Sequence, residues 1–124
     1  MVQTLNLDDY RWQNRLLFLF APDAKDEDYI KQLEALDANK RGLGERDLIL
    51  FRVVGKEAQQ DTFTLAAGSA DSLRKKFEVT GTFTLILVGK DGGVKRREET
   101  TVAVDDLFTQ IDSMPMRQQE MRDD

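Results

Sequence analysis

Four carboxylates, Asp23, Asp26, Glu27 and Asp28, crowd one short stretch of this chain, and closely spaced oxygen ligands are what a hard cation takes. Their spacing lacks the glycine-centred pattern of a calcium loop. The first turn of a helix, where the dipole favours negative charge, accounts for them, so no metal is expected. Gly89, Lys90, Asp91, Gly92 and Gly93 offer glycines and a lysine. A phosphate cradle needs G-x-x-x-x-G-K-[ST] between a strand and a helix, whereas here strand patterns flank both sides and a hairpin turn is expected. Two basic runs, Arg74 to Lys76 and Lys95 to Arg97, invite an anion-binding face, but neither interleaves an aromatic able to stack on a base. The net charge of −5 further opposes nucleic acid and anionic membrane as partners.

One constellation remains: Tyr10, Arg11, Trp12 and Arg15 near the start, with Met116 and Arg117 near the end. These residue types are enriched among the anchors of protein interfaces. They also read as a staple, with Trp12 capping the core edge and arginine stems covering apolar surface. The staple is the preferred expectation, and a partner site is the alternative.

The chain contains no cysteine and no histidine. Thiol redox chemistry, disulfides, thiolate metal sites and a cysteine nucleophile are thereby excluded, together with the usual general base. No catalytic residue and no cofactor is expected.

The elements that must position these side chains follow an α/β pattern. Arg15 to Phe20, closed by Ala21 and Pro22, is apolar without alternation, as a strand covered on both faces should be. Tyr29, Ile30, Leu33 and Leu36 form a helical stripe, with Gly42 and Gly44 marking its exit. Asp47 to Val54 is a second apolar strand, so a βαβ crossover into a parallel pair is expected. Residues 55–68 are left open between a short strand and a loop. Ser69 would cap a two-turn helix presenting Leu73 and Phe77, with Arg74, Lys75 and Lys76 in water. Residues 83–88 and 94–98 form a hairpin whose second strand, charged, lies at a sheet edge. A last helix bears Leu107, Phe108, Ile111 and Met114 and stops at Pro115, with fraying beyond Arg117.

In sum the pattern predicts one domain with its core at about residues 10–115: a mixed sheet of four or five strands, centred on residues 16–20, 48–54 and 83–88, with helices on both faces. No run approaches the roughly 20 apolar residues of a membrane helix. Asp8 and Asp9 stand where a secretory signal would place basic and apolar residues, so cytoplasmic residence is expected.

The order β, α, β, α, hairpin, α resembles that of thioredoxin. Phe77 to Gly81, followed by Thr82, Phe83, Thr84 and the Lys90-Asp91-Gly92 turn, looks like the second half of that fold. Leu17 to Pro22 resembles the strand before the active-site loop of thioredoxins and peroxiredoxins. The family's two cysteines would fall near Ala24 and Glu27 and its cis-proline near Phe83, so the redox apparatus is missing. Four words, Tyr10 to Arg15, Glu45 to Leu48, Gly89 to Gly93 and Met114 to Gln118, are similar to a bacterial family of unknown function with a thioredoxin-like fold. That family in turn looks like modules of sushi-repeat and coiled-coil matrix proteins. The resemblance implies a thioredoxin-like fold and a role in binding or adhesion.

Two functions follow as expectations. One is a redox-inactive module binding an unidentified protein, monomeric or weakly dimeric. The other is a small-ligand binder or non-thiol enzyme using the cleft near Ala24 and Phe83, with Lys25, Thr82, Thr84 and Arg15 as polar contacts.

Overall fold

The computed structural model describes residues 2–3 and 6–123. After the two-residue strand β1 (Val2–Gln3) and a 3₁₀ turn (Leu7–Tyr10), the apolar run becomes β2 (Arg15–Ala21), buried along its whole length. The helical stripe forms α1 (Glu27–Asp37), which begins where Asp26 accepts the Tyr29 N–H at 2.9 Å. Gln32 joins Tyr29 and Leu36 on its buried face, while Ile30, expected on the stripe, is exposed. Gly42 and Gly44 do not end this helix. They lie inside a second one, α2 (Lys40–Glu45), which leads into β3 (Leu48–Val54).

β2 and β3 pair in parallel from Arg15 opposite Leu48 to Ala21 opposite Val54, as the βαβ reading requires. The stretch left open contains two strands. Gly55, at φ 58°, turns the chain back so that β4 (Glu57–Gln60) pairs antiparallel with β3, and β5 (Phe63–Leu65) follows against β4. The hairpin β6 (Thr84–Val88) and β7 (Val94–Glu98) lies on the other flank, with β6 antiparallel to β2 and β7 at the edge.

The sheet order is β1-β5-β4-β3-β2-β6-β7. Six strands have three or more residues and β1 adds a two-residue ribbon, so the expected four or five is corrected upward. The cause is β4, whose Glu-Ala-Gln-Gln sequence has weak strand propensity and is recruited by the turn and by the buried Ala58.

Alternate residues of β2 feed two cores. Leu17, Leu19 and Ala21 pack with α1, α2 and α4 (Val104–Asp112), while Leu16, Phe18 and Phe20 pack with α3 (Ser69–Lys76) and the inner face of β3. Helices on both faces are therefore observed. Phe18 stacks on Phe51 at a centroid distance of 4.8 Å and meets Phe77 at 4.9 Å.

Three local expectations are corrected. Gly68 at φ 88°, not Ser69, occupies the cap of α3. Arg74 turns inward from the same helix, its guanidinium donating to the carbonyl oxygens of Ala21, Gly55 and Val53. Pro115 does not close the molecule: α4 ends at Asp112 with Ser113 as its cap, and Pro115 opens α5 (Pro115–Asp123), where its missing N–H costs nothing. The segment expected to fray beyond Arg117 is helical because its polar side chains are tied to the domain.

Candidate functional site

Those ties define the site. Arg15, at the head of β2, is 1% exposed, and its guanidinium fork meets α5. Nη1 and Nη2 donate to the two carboxylate oxygens of Glu120 at 3.2 and 3.1 Å, and Nη1 also reaches the Arg46 carbonyl oxygen at 2.9 Å. Lys90, from the hairpin turn, donates to the same Glu120 carboxylate at 2.8 Å and to Asp47 at 2.9 Å. Burial alone would raise the Glu120 pKa, but the hydrogen bonds from Arg15 and Lys90 outweigh it and hold the group below its ordinary value.

A second tie runs alongside. Arg46 grips Asp112 through Nε and Nη2 at 3.0 and 2.9 Å, with its guanidinium carbon 3.9 Å from the Phe108 ring centroid. Arg117 donates to Asp112 at 3.0 Å and to the Glu45 carbonyl oxygen at 3.0 Å. The Asp112 pKa is likewise pushed up by burial and drawn down further by Arg46 and Arg117, ending low.

Residues 105 positions apart in sequence thus meet, and each of the four family-like words contributes. Arg15 comes from the first, Glu45 to Asp47 from the second, Lys90 from the third and Arg117 from the fourth.

The sequence constellation is split by this arrangement. Arg15 and Arg117 belong to the ties. Tyr10 belongs to the core, its ring edge-on to Phe51 at 6.0 Å and its hydroxyl donating to Gln60 at 2.9 Å. Arg11 is exposed and lies 3.7 Å from Asp8. Trp12, expected at the core edge, is 62% exposed. The exit from the 3₁₀ turn holds it at φ 69°, and its N–H donates to the Lys90 carbonyl oxygen at 2.6 Å. Both features fix the ring outside the core.

Trp12 and Met116 instead border a groove of about 310 Å³, along with Met114, Pro115, Lys90 and Lys95. Arg15 and Asp91 also line it. Lys95 is matched by Asp91 at 2.8 Å, and that contact, with the Gly93 N–H, lowers the Asp91 pKa. The groove combines an apolar, aromatic wall with cations, an arrangement suited to holding a ligand.

The other candidate set lies in the turn after β2 and at the head of β6. Ala24 and Lys25 are exposed in the turn after β2, where the Lys25 N–H donates to Asp23 at 2.8 Å. Thr82 is exposed, Phe83 is buried in the core beside Leu85 and Leu107, and the Thr84 hydroxyl donates back to the Thr82 carbonyl at 3.3 Å. Among the described residues there is no cis peptide bond and no cluster of histidine, cysteine or acidic residues able to hold a metal. No helix among them is long and apolar enough to cross a membrane.

Sequence reasoning missed Glu120, Lys90, Arg46, Asp47 and Asp112 as members of the site. For Arg46, Asp47 and Lys90 the signal was the family-like words themselves, whose charged residues composition alone assigns to solvent; Asp112 and Glu120 lie outside the words and carried none.

The fold is similar to that of solved thioredoxin-like proteins. The reduced 2-Cys peroxiredoxin of Plasmodium vivax aligns with a TM-score of 0.69 and 18% identity over 93% of this chain and 85% of that one. The exposed lipoprotein thioredoxin Etrx1 of Streptococcus pneumoniae aligns at 0.64 and 13% identity, covering 87% and 90%. Among curated sequences, coiled-coil domain-containing protein 80 of Danio rerio is 29% identical over 93% of this chain and 15% of its own length. Sushi repeat-containing protein SRPX2 of Rattus norvegicus is 29% identical over 93% of this chain and 26% of its own. The chain therefore spans about a quarter or less of these relatives. The family described as "Domain of unknown function (DUF4174)" matches residues 6–120, which include all four convergent words, and this cysteine-free, thioredoxin-like chain belongs to it.

Proposed function

We propose that the protein is a redox-inactive, thioredoxin-like binding module whose contact surface is the Trp12 and Met116 groove. The observation that carries this reading is the lone tryptophan, exposed yet held in a left-handed backbone conformation by its bond to Lys90. For a bulky residue that conformation is strained, and strain of this kind persists where surrounding structure imposes it, often at ligand contacts. Trp and Met are suited to such a role: one gives a large rigid face, the other an adaptable one. The absence of any thiol removes the redox use of the fold, and in larger relatives the matching segment is a fraction of a longer chain, as befits a module.

Affinity capture with the parent protein, Trp12→Ala and Met116→Ala tests the reading, with the emission maximum of Trp12 recorded on adding the captured protein. Binding is expected to fall at least tenfold in Trp12→Ala without a change in unfolding midpoint, and the parent emission is expected to shift to the blue. A partner held equally by Trp12→Ala, with no change in emission, would sink it.

A further inference from the structure

Nothing apolar anchors α5. Among its described side chains only Arg117 is buried, while Met116 and Met121 are 39% and 40% exposed. A nine-residue helix is also shorter than the roughly 12–15 residues an isolated helix needs. Its seat depends on ion pairs, above all on Glu120.

That seat is built for a carboxylate. Arg15 presents a planar fork matching both oxygens of the group, and Lys90 adds a third donor to one of them. Both cations are buried, and a guanidinium cannot discharge itself by losing a proton. Even with Glu120 in place, the buried Arg15 Nε has no hydrogen-bond partner among the described residues. Arg15 and Lys90 also line the groove with Trp12 and Met114, neither of which belongs to α5, so a carboxylate in this seat places its neighbours along the part of the apolar wall that stays when α5 lifts with its Met116.

We infer that Arg15 and Lys90 form a carboxylate-binding site that α5 fills in cis with Glu120, and that an acidic side chain of a partner peptide takes the seat when α5 lifts. The inference rests on the groove being the contact surface, and it supplies the partner's chemistry: an acidic residue flanked by apolar ones. Glu120 is then a competitor, and α5 a latch that lowers affinity until an acidic segment displaces it. The carboxylate carries the recognition, and Trp12 selects its apolar neighbours.

The test uses two labelled peptides blocked at both ends, Gly-Phe-Glu-Leu-Gly and its glutamine counterpart, titrated by fluorescence polarisation into the full chain and into Glu120→Gln. The variant, lacking the competing charge, is expected to bind the glutamate peptide at least tenfold more tightly than the parent, and Lys90→Gln added to it is expected to reverse the gain. The glutamine peptide should show neither effect. Saturating the parent with glutamate peptide should also speed amide hydrogen exchange in α5, a readout that decides the matter should Glu120→Gln fail to fold.

Equal binding of both peptides by the variant, or α5 exchange in the parent unmoved at saturation, overturns the inference. If both peptides bind alike while shifting Trp12 emission, the carboxylate seat falls and the groove reading stands. If neither peptide binds either protein, the seat falls too, and the groove reading is judged by capture with Trp12→Ala.

Discussion

Gln32 and Val102 clasp each other across 70 residues: the side-chain amide of Gln32 donates to the Val102 carbonyl at 3.0 Å, and the Val102 N–H donates back at 2.7 Å. Gln32 is fully buried, so this polar side chain completes the backbone of the segment that leads into α4. Gln32→Leu keeps the size and strips both partners. A loss of about 2–4 kcal/mol is expected, since each buried backbone group left unpaired costs about 1–3 kcal/mol. Urea unfolding measures it, and an unchanged midpoint would mean water reaches the segment.

Two glycines of α2 should respond in opposite directions. A Cβ on Gly42 would come within 2.5 Å of the Phe108 ring, whose face Arg46 covers, whereas a Cβ on Gly44 meets nothing within 4 Å. Gly42→Ala is expected to destabilise by about 1–3 kcal/mol of overpacking, partly offset by better helix propensity. Gly44→Ala should stabilise by about 0.5–1 kcal/mol. Thermal melts of the pair check this, and stabilisation by both would show that Phe108 yields freely.

Arg11 and Arg117 separate surface from tie. Arg117→Ala removes a buried guanidinium from the Asp112 carboxylate and the Glu45 carbonyl and should cost about 1–2 kcal/mol, while exposed Arg11→Ala should stay within about 0.5 kcal/mol. Denaturant melts decide, and parent midpoints in both variants would refute the structural role of Arg117.

Acid should loosen α5 before the sheet. Glu120 and Asp112 both have folded pKa values below their ordinary ones, so their contribution is fully present above the ordinary carboxylate range. It declines as pH drops below that range and is lost once pH passes the lowered folded values. Protection of the amides in residues 116–122, taken relative to the intrinsic exchange rate at each pH, is expected to fall on acidification while β2 remains protected. Simultaneous loss in both places would contradict a separately held helix.

Thiol chemistry offers the plainest check. Homogeneous protein should reduce no disulfide and consume no peroxide, because no thiolate exists to attack. Turnover above a heat-denatured control would reveal a site of another kind.

The buried strands were legible because their apolar runs are unbroken, and the hairpin because its Asp-Gly turn has a single efficient geometry. β4 was not, since its Glu-Ala-Gln-Gln carries no period and is a strand only by virtue of its neighbour. Trp12 was misplaced because tryptophan usually packs inside, and nothing local announced the left-handed turn that points it outward. In sequence Pro115 looks like a stop and in the fold it is a start, an ambiguity inherent in a residue at home on either side of a helix boundary. The ties were the hardest to see: Arg15, Lys90 and Glu120 are ordinary surface residue types, and only the fold brings them together.

The 105 positions that separate Arg15 from Glu120 bear on how the chain emerges from the ribosome. Once residues 15–98 are out, every strand from β2 to β7 is available and collapse of the sheet can begin. Yet Arg15 would then sit in a nearly closed interior with its countercharge still in the exit tunnel. A buried guanidinium without an anion is costly, so the head of β2 should stay hydrated until α5 arrives. The nascent domain has an electrically incomplete stage, during which a neighbouring acidic surface can hold Arg15 before Glu120 does.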